Sequence, residues 1–285
     1  MSGPAYRSWF GSDYMEFDNA ALTRLLTLTK RQHTIAGKKQ NQVEGTMLHA
    51  NLGRCYTTNL VRDGVSSLSR FSMACDGEMT IPVPNIDTLL GVLPYHSATV
   101  KLNWDDNRLK VKSPSKQTTI TASSNAPAFA NSQDSLAIWS SKSDERALQI
   151  DPSTGIYKMQ SGETREPILS ATITGNELYE ALRCDAINGQ KLNRYTFRLD
   201  NRKLSVEVGD ELKGKTSTNL SADDMPYGKF DVTFEGGLDT VLKHYPGDVQ
   251  LHFIDFREEG QGIRLLIHLA DGLNPDFVFQ AGLIR

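Results

Sequence analysis

Apolar residues recur with helical spacing early in the chain, directly after polar residues that can cap a helix. Asp18 or Asn19 is placed to cap a helix in which Leu22, Leu25 and Leu26 share one face. The opposite face of this helix is polar and basic. This pattern is typical of a surface helix that lies on a sheet.

Three further helices are predicted from capping residues and prolines. Residues 174–177 have the spacing of a capping box and begin one of them. A second, short helix is capped by Asn85 and ends before Pro94, and a third runs over about 237–245 and ends before Pro246. Proline ends both short helices because it lacks the backbone N–H that a helix needs.

Much of the remaining chain alternates apolar and polar residues with a period of two, which indicates half-buried antiparallel strands. The clearest alternating runs are residues 195–199, 204–208, 263–269 and 277–281. Turn-forming residues such as those at 105–107 and 200–201 separate the runs.

Two pairs of segments repeat each other in the same order along the chain. Residues 86–90 (Ile-Asp-Thr-Leu-Leu) are matched 152 positions later by 238–242 (Leu-Asp-Thr-Val-Leu). The helix start at 17–22 is matched 156 positions later by 173–178. The nearly equal offsets predict a duplicated architecture.

The patterns together predict an α+β fold of two similar domains, each with two helices packed on antiparallel sheets. The predicted divisions are an N-terminal arm over 1–14, a first domain over 15–122, a connector over 123–168 and a second domain over 169–285. The connector is rich in Ser, Asn, Gly, Pro and charged residues, and we expect it to be partly ordered.

Composition restricts the classes of function. Hydrophobic residues make up 39% of the chain and the net charge is −3, so any contact with nucleic acid must be local. Cys55, Cys75 and Cys184 are widely spaced, which argues against a disulfide framework or a zinc site and favours buried thiols. We find no membrane-spanning segment or secretory signal, and we expect an intracellular protein with no catalytic residues, no metal and no cofactor.

The repeated segments resemble those of the DNA polymerase sliding clamps, especially the tailed-phage and proliferating cell nuclear antigen types. The closest local similarity lies at 80–93 and 237–243, each followed by its strand, and at the terminal strand 276–282. The resemblance covers roughly 15–285, apart from much of the connector. It is a resemblance of pattern, because this family has no invariant signature peptide.

This resemblance implies a viral or cellular processivity factor that encircles duplex DNA as a homotrimeric ring. Its implied partners are double-stranded DNA bound without sequence preference, a DNA polymerase, a clamp loader and further copies of the chain, with no membrane. A viral clamp would act in the cytoplasm of its host cell. The family also implies helices that face a central channel and sheets that form the outer wall.

Two sets of site residues follow from the resemblance. Basic residues at the helices are the candidate channel contacts to DNA: Arg24, Lys30, Arg31, Lys38, Lys39, Arg183, Lys191, Arg194 and Lys243. Residues of the terminal strand are the candidate border of a pocket for partner peptides: Phe279, Ala281, Gly282 and Leu283.

Residues 209–216 match the P-loop pattern letter for letter and suggest an alternative, a P-loop NTPase. A P-loop needs a strand before it and a helix after it. Residues 217–221 show no helical period, and Asp210 and Glu211 would place negative charge beside the phosphates. A hairpin turn explains the same residues.

A monomeric DNA-binding processivity factor with the same duplicated fold is the other alternative. His252 and His268 each precede an aspartate by three residues, but both lie in alternating strands, where we expect exposed side chains rather than metal ligands.

Overall fold

The computed structural model describes most of the chain. The described residues are 14–35, 38–61, 67–121, 133–183, 194–210, 214–222, 225–269 and 276–282. Residues 1–13 of the predicted N-terminal arm lie outside the described residues, and so does Cys184.

Five α-helices are described. They are α1 (Asn19–Lys30), α2 (Ile86–Val92), α3 (Gln133–Ala147), α4 (Gly175–Arg183) and α5 (Leu238–Leu242). Short 3-10 helices cover Leu93–Tyr95 and Arg257–Glu259.

Side-chain oxygens cap three of these helices at the positions predicted from the sequence. Asp18 accepts from the Ala21 N–H, and Asn85 accepts from the Thr88 N–H, both at 2.7 Å. Thr174 accepts from the Glu177 N–H at 3.2 Å. The capping interaction at each start is therefore local and satisfies an N–H that the helix leaves unpaired.

The strands carry most of the fold. In the first half of the chain they are β1 (Met15–Asp18), β2 (Gln32–Ile35), β3 (Lys38–Asn41), β4 (Thr46–Asn51), β5 (Arg54–Val61), β6 (Ser67–Ala74), β7 (Met79–Val83), β8 (Thr99–Asp105), β9 (Arg108–Ser113) and β10 (Lys116–Thr121). In the second half they are β11 (Tyr157–Lys158), β12 (Thr164–Arg165), β13 (Pro167–Thr174), β14 (Arg194–Asp200), β15 (Lys203–Asp210), β16 (Gly214–Asn219), β17 (Lys229–Glu235), β18 (Asp248–Asp255), β19 (Ile263–Leu269) and β20 (Asp276–Ala281).

One sheet runs through both halves of the chain. Its eight strands lie in the order β13-β18-β19-β20-β6-β5-β4-β7, and β20 pairs antiparallel with β6 at its centre. We call this pairing the junction. A four-stranded sheet flanks each half, β1-β8-β9-β10 in the first and β16-β15-β14-β17 in the second.

The two domains share one plan, as predicted. In each domain a strand leads into a capped helix, a four-stranded segment follows (β4–β7 or β14–β17), and the short second helix precedes the last three strands. The first domain has in addition the hairpin β2-β3 directly after α1. The first N–H of α1 donates to Ala98 O at 2.8 Å, and that of α4 donates to Gly247 O at 2.6 Å. The same backbone bond therefore anchors the first helix of each domain.

The large sheet has two different faces. Thr29 of α1 bonds Thr57 of β5 at 2.7 Å on one face, which we call the helix face. On the opposite face Ser140 of α3 bonds His49 of β4 at 2.6 Å, and we call this the connector face. Because side chains alternate along a strand, the two contacts use opposite sides of the same sheet.

Helix α3 lies inside the segment that we expected to be a partly ordered connector, and the sequence did not predict it as a helix. Leu136 packs against Met47 of β4, whereas Ile138 is 59% exposed. In the structure the connector comprises residues 133–166, with α3, β11 and β12, because residues 123–132 lie outside the described residues and residues 167–168 belong to β13. We use the name in this sense from here on. Its apolar positions are few, so its position depends on contacts with the sheet.

The structure confirms the predicted burial of two cysteine thiols, but it contradicts the predicted exposure of one histidine. Cys55 and Cys75 are buried. His252 is only 4% exposed, so the expectation of an exposed side chain was wrong, because residues of the connector cover this part of β18.

The start of α4 and the turn after α5 approach so closely that no side chain fits at Gly175. An added Cβ would overlap the carbonyl oxygen of Tyr245, whereas Gly91 in α2 has no atom within 4 Å of such a Cβ. We predict that Gly175→Ala lowers the free energy of unfolding by about 1–3 kcal/mol through steric overlap. Urea denaturation measures this change.

Gly91→Ala is the matched helical control. It should leave the free energy of unfolding unchanged or raise it by up to about 1 kcal/mol, since alanine restricts the unfolded chain more than glycine does. Equal stability of the two variants would contradict the predicted overlap at Gly175.

Candidate partner pocket and helix face

A cavity of about 510 Å³ opens on the connector face where the two domains meet. It lies under the connector and beside β20. Its lining mixes apolar and aromatic side chains with two arginines and three uncharged polar residues: Leu60, Leu68, Arg146, Ile150, Tyr157, Met159, Gln160, Ser161, Phe256, Gln261, Arg264 and Phe279.

Aromatic rings form one wall of this pocket. The ring of Tyr157 stacks on that of Phe279, with centroids 5.7 Å apart, and meets the edge of Phe256 at 5.1 Å. Because Tyr157 belongs to the connector and Phe279 to β20, the pocket exists only when the connector is packed against the sheet.

Arg264 crosses the floor of the pocket. Its guanidinium lies 4.7 Å from the Phe256 ring centroid and 5.4 Å from that of Phe279. Its Nη2 donates to Gln261, but its buried Nε has no hydrogen-bond partner among the described residues. Burial lowers the pKa of Arg264 below its usual range, and neighbouring Arg146 lowers it further. The pocket therefore combines an aromatic wall with polar groups and positive charge.

Of the predicted pocket residues, Phe279 lines the cavity. Ala281 and Gly282 do not line it, and Leu283 lies outside the described residues. Gly282 donates its N–H to Ile263 O at 2.9 Å, which continues the pairing of β20 with β19. Connector residues supply much of the lining, and no motif in the sequence marked them.

The connector is held to the sheet at two histidines. Ser140 bonds His49 Nε2 at 2.6 Å, and His49 also stacks on Tyr56. Farther along, Gly155 lies directly over the ring of His252, which bonds Ser170 through Nδ1 at 2.8 Å. Gly155 has φ +76° and no room for a Cβ, so both its conformation and its contact favour glycine.

On the helix face, α1 of the first domain touches the turn after α5 of the second. The Arg24 guanidinium lies 5.0 Å from the ring centroid of Tyr245, and its Nη2 donates to His244 O at 3.5 Å. Lys30 pairs with Asp87 of α2 at 3.0 Å. Both basic residues thus contribute to packing among the helices.

Arg31 does not fit its predicted role as a DNA contact. It follows the last residue of α1 with φ 41°, which turns its side chain inward, and it is fully buried. Its Nη1 donates to Ser67 of β6 at 2.7 Å, and burial lowers the pKa to about 10. A buried guanidinium cannot reach a phosphate, so we remove Arg31 from the channel set.

The other predicted channel residues are spread over the molecule. Arg183 on α4 and Lys243 after α5 are exposed, and Arg194 lies at the start of β14, 3.6 Å from Glu235. Lys38 and Lys39 begin β3, but the structure describes only their backbone, and Lys191 lies outside the described residues.

The P-loop alternative is contradicted. Residues 203–210 form β15 and 214–219 form β16, and these strands pair antiparallel, with Gly209 opposite Lys215. Lys215 and Thr216 therefore lie in a strand, where no helix N-terminus is available to hold phosphates.

Neither a metal site nor a membrane span is found in the parts of the chain that are described. No group of three His, Cys, Asp or Glu side chains is arranged to hold an ion there. The helices of the same ranges are too short or too polar to cross a membrane.

No family model matches the chain, and no curated protein matches its sequence. Solved structures do match its fold. The beta chain of DNA polymerase III from Streptococcus pneumoniae TIGR4 superposes with a TM-score of 0.64 at 12% identity, over 100% of this chain and 69% of that chain. The sliding clamp from Pseudomonas aeruginosa gives 0.61 at 14% identity, over 100% and 68%. The beta subunit from Thermotoga maritima gives 0.59 at 11%, over 100% and 70%.

The chain has the DNA polymerase sliding clamp fold. Its two domains span about two thirds of the length of these bacterial beta chains. The likeness confirms the predicted fold class. The finer prediction of a tailed-phage or proliferating cell nuclear antigen type stays a prediction.

Two histidines under the connector predict that docking of the connector depends on pH. Burial lowers the pKa of both His49 and His252 below the usual value near 6.5, with Asp144 opposing and Arg70 adding to the shift at His49. The unfolded or undocked state therefore takes up protons first as the pH falls below about 6.5, and docking of the connector weakens there.

Hydrogen exchange at pH 7.5 and 5.5, corrected for the intrinsic rate, measures this effect. Protection of α3 and of residues 151–157 should fall at pH 5.5 more than protection of β14. His49→Gln should remove much of the pH dependence of α3 and leave that of residues 151–157. Protection of α3 that is equal at both pH values would contradict the prediction.

Proposed function

We propose that the chain is a subunit of a DNA sliding clamp, a non-catalytic processivity factor that encircles duplex DNA and tethers a replicative polymerase. The observation that carries this proposal is the eight-stranded sheet that runs through both domains, with helices on one face and a covered pocket on the other. The clamp fold of the solved structures supports it. Such a protein acts inside the cell, in the host cytoplasm if it is viral.

The ring would close through strand edges that repeat the junction. In the shared domain plan, β10 corresponds to β20 and β16 corresponds to β6. β20 pairs with β6 inside the chain, whereas β10 and β16 are edge strands of their sheets. Pairing β10 of one copy with β16 of the next reproduces the internal pairing head to tail and covers both edges.

We propose three subunits per ring. Each chain contributes two domains and covers 69% of a longer bacterial beta chain, so three copies match about the length of two such chains. Closure of a head-to-tail contact requires a fixed rotation per domain, and a shorter chain then needs more copies.

DNA would pass along the helix face, held by contacts to phosphates that do not read sequence. Exposed Arg183 and Lys243, with Lys30 at the end of α1, are the candidates that the structure describes on the helices. Arg24 is half-buried against Tyr245 and would contribute mainly through its charge. Lys38, Lys39, Lys191 and Arg194 stay proposed contacts. The small number of cations suits a protein that slides, because it limits affinity.

Short apolar peptides of the polymerase and of a clamp loader would dock in the pocket on the connector face. The apolar and aromatic part of the lining provides the burial, and Arg146 with Arg264 favours a peptide that carries a carboxylate. A monomeric processivity factor of the same fold is the alternative, and the mass in solution distinguishes the two.

Light scattering tests the ring. We expect a mass of three times the 31.6 kDa subunit at micromolar concentration. A monomer at every concentration up to about 100 μM would contradict the ring and favour the monomeric alternative.

Topological retention on DNA tests encirclement without a loader. The protein is diluted until it dissociates, mixed with nicked circular plasmid, concentrated and passed through gel filtration at high salt. We expect retention on the circle and release after one restriction cut, since screening weakens charge contacts but not a topological link. Equal retention on circular and linear DNA would contradict encirclement.

The pocket is tested with two small probes of the same shape, 4-phenylbutyrate and its uncharged amide. We predict that the carboxylate binds about tenfold more tightly, because it can pair with the partly buried guanidinium of Arg264. Ligand-observed NMR titration measures both affinities.

Two variants and a control locate the binding. Met159→Asp should abolish binding of both probes, and Arg264→Met should remove only the preference for the carboxylate. Arg257→Met, which alters an exposed arginine paired with Asp255, should change neither affinity. Equal affinities of the two probes for the wild-type protein would contradict the charge preference.

A further inference from the structure

The junction contains a polar contact that joins three parts of the chain. Asp276, the first residue of β20, is 1% exposed and accepts from the Tyr245 hydroxyl at 2.6 Å and from Ser72 at 2.8 Å. The guanidinium of Arg24 on α1 lies over the Tyr245 ring, 5.0 Å from its centroid. An acidic residue, an aromatic ring and a basic residue therefore lock the two domains together on the helix face.

The strand registers show which residues stand at the corresponding positions of the open edges. Ser113 pairs with Lys116 at the turn between β9 and β10, and Leu269 pairs with Asp276 at the turn between β19 and β20. Lys116 is therefore the counterpart of Asp276, as the first residue of the strand that meets a neighbouring domain.

The helix caps give the second correspondence. Asp18 and Thr174 cap α1 and α4 through the same bond, from the N–H three residues later. Counting from these caps, Arg24 on α1 corresponds to Glu180 on α4. Glu180 is exposed and pairs with Arg183 on its own helix at 3.1 Å.

The aromatic residue is also present at the open edge. The 152-residue offset places buried Leu93 at the position of Tyr245, and Tyr95 lies two residues farther along the same turn, with the Lys116 Nζ 5.0 Å from its ring centroid. Tyr245 is 5% exposed, whereas Tyr95 is 72% exposed. The open edge thus carries an exposed aromatic ring beside Lys116, close to the place that Tyr245 occupies at the junction.

We propose that Lys116 and Tyr95 of one copy bind Glu180 on α4 of the next copy, in a charge-reversed repeat of the junction contact. The acidic Asp276 inside the chain is replaced by a lysine at the open edge, and the basic Arg24 is replaced by a glutamate. Both substitutions change sign together, so the contact between copies stays attractive. This inference rests on the proposed head-to-tail ring and names the residues that join its subunits.

The edge strands fit the same contact. With the register of the junction, Thr118 of β10 would stand opposite Thr216 of β16, and the rest of both edges is mainly polar. A threonine pair suits a cross-strand position. An interface with so little apolar area depends on its polar contacts, which makes the pair of Lys116 with Glu180 important for its stability.

The existing pair of Glu180 with Arg183 does not prevent the contact. Both side chains are more than half exposed, and exposed ion pairs are weak. Within the described residues no carboxylate forms an ion pair with Lys116. Docking would give Glu180 a second cation in a site that Tyr95 shields from water.

Charge reversal tests the proposal, with mass photometry or light scattering over a dilution series as the measurement. Lys116→Glu and Glu180→Lys should each raise the concentration at which the assembly dissociates by about tenfold or more. The double variant restores the opposite charges in swapped order and should return within about threefold of the wild type.

Lys101→Glu is the control, since Lys101 is exposed on β8 of the same sheet, two strands from the β10 edge, and pairs with Glu16. It should leave assembly unchanged. Urea denaturation of the dilute, dissociated variants shows whether each one still folds.

The outcomes separate this inference from the proposed function. A wild-type assembly that neither single variant weakens would overturn the contact and leave the ring intact. Single variants that weaken assembly without rescue in the double variant would also overturn the pairing. A wild-type protein that never assembles would overturn the ring itself.

Discussion

The pairing of β20 with β6 is the interaction on which the rest of the structure depends. It joins residues more than 200 positions apart, such as Phe277 and Arg70, in one antiparallel ladder. Because side chains alternate along β20, Phe277 and Phe279 pack on the connector face, whereas Gln280 bonds Tyr195 on the helix face. Both faces of the sheet therefore continue from one domain into the other.

The helix face of the junction is held by buried polar groups rather than by apolar packing alone. Arg31 reaches Ser67, and the Tyr195 hydroxyl donates to Gln280 at 2.7 Å. Buried polar contacts of this kind add little net stability but tolerate only one arrangement of their partners. They fix α1 against β6, so Arg31 contributes to the fold and its buried guanidinium is unavailable to a ligand at the surface.

The pocket on the connector face also depends on the pairing of β20 with β6. The pocket draws Leu60 and Leu68 from the first domain, Tyr157 from the connector, and Phe256 and Phe279 from the second domain. No single segment could form it. A change in the junction or in the docking of the connector would therefore alter the shape of the pocket and its affinity for a ligand.

The sequence by itself determined the elements whose interactions are local. Asp18, Asn85 and Thr174 cap helices through bonds that span three residues, and period-two alternation marks the strands from Tyr195 to Ala281. The repeated segments also revealed the duplicated plan, because both copies preserve the same local pattern. Tertiary structure decided the burial of Arg31 and His252, the helix in the connector and the lining of the pocket. Each of these depends on contacts between residues far apart in the chain, and the pattern of neighbouring residues carries no record of such contacts.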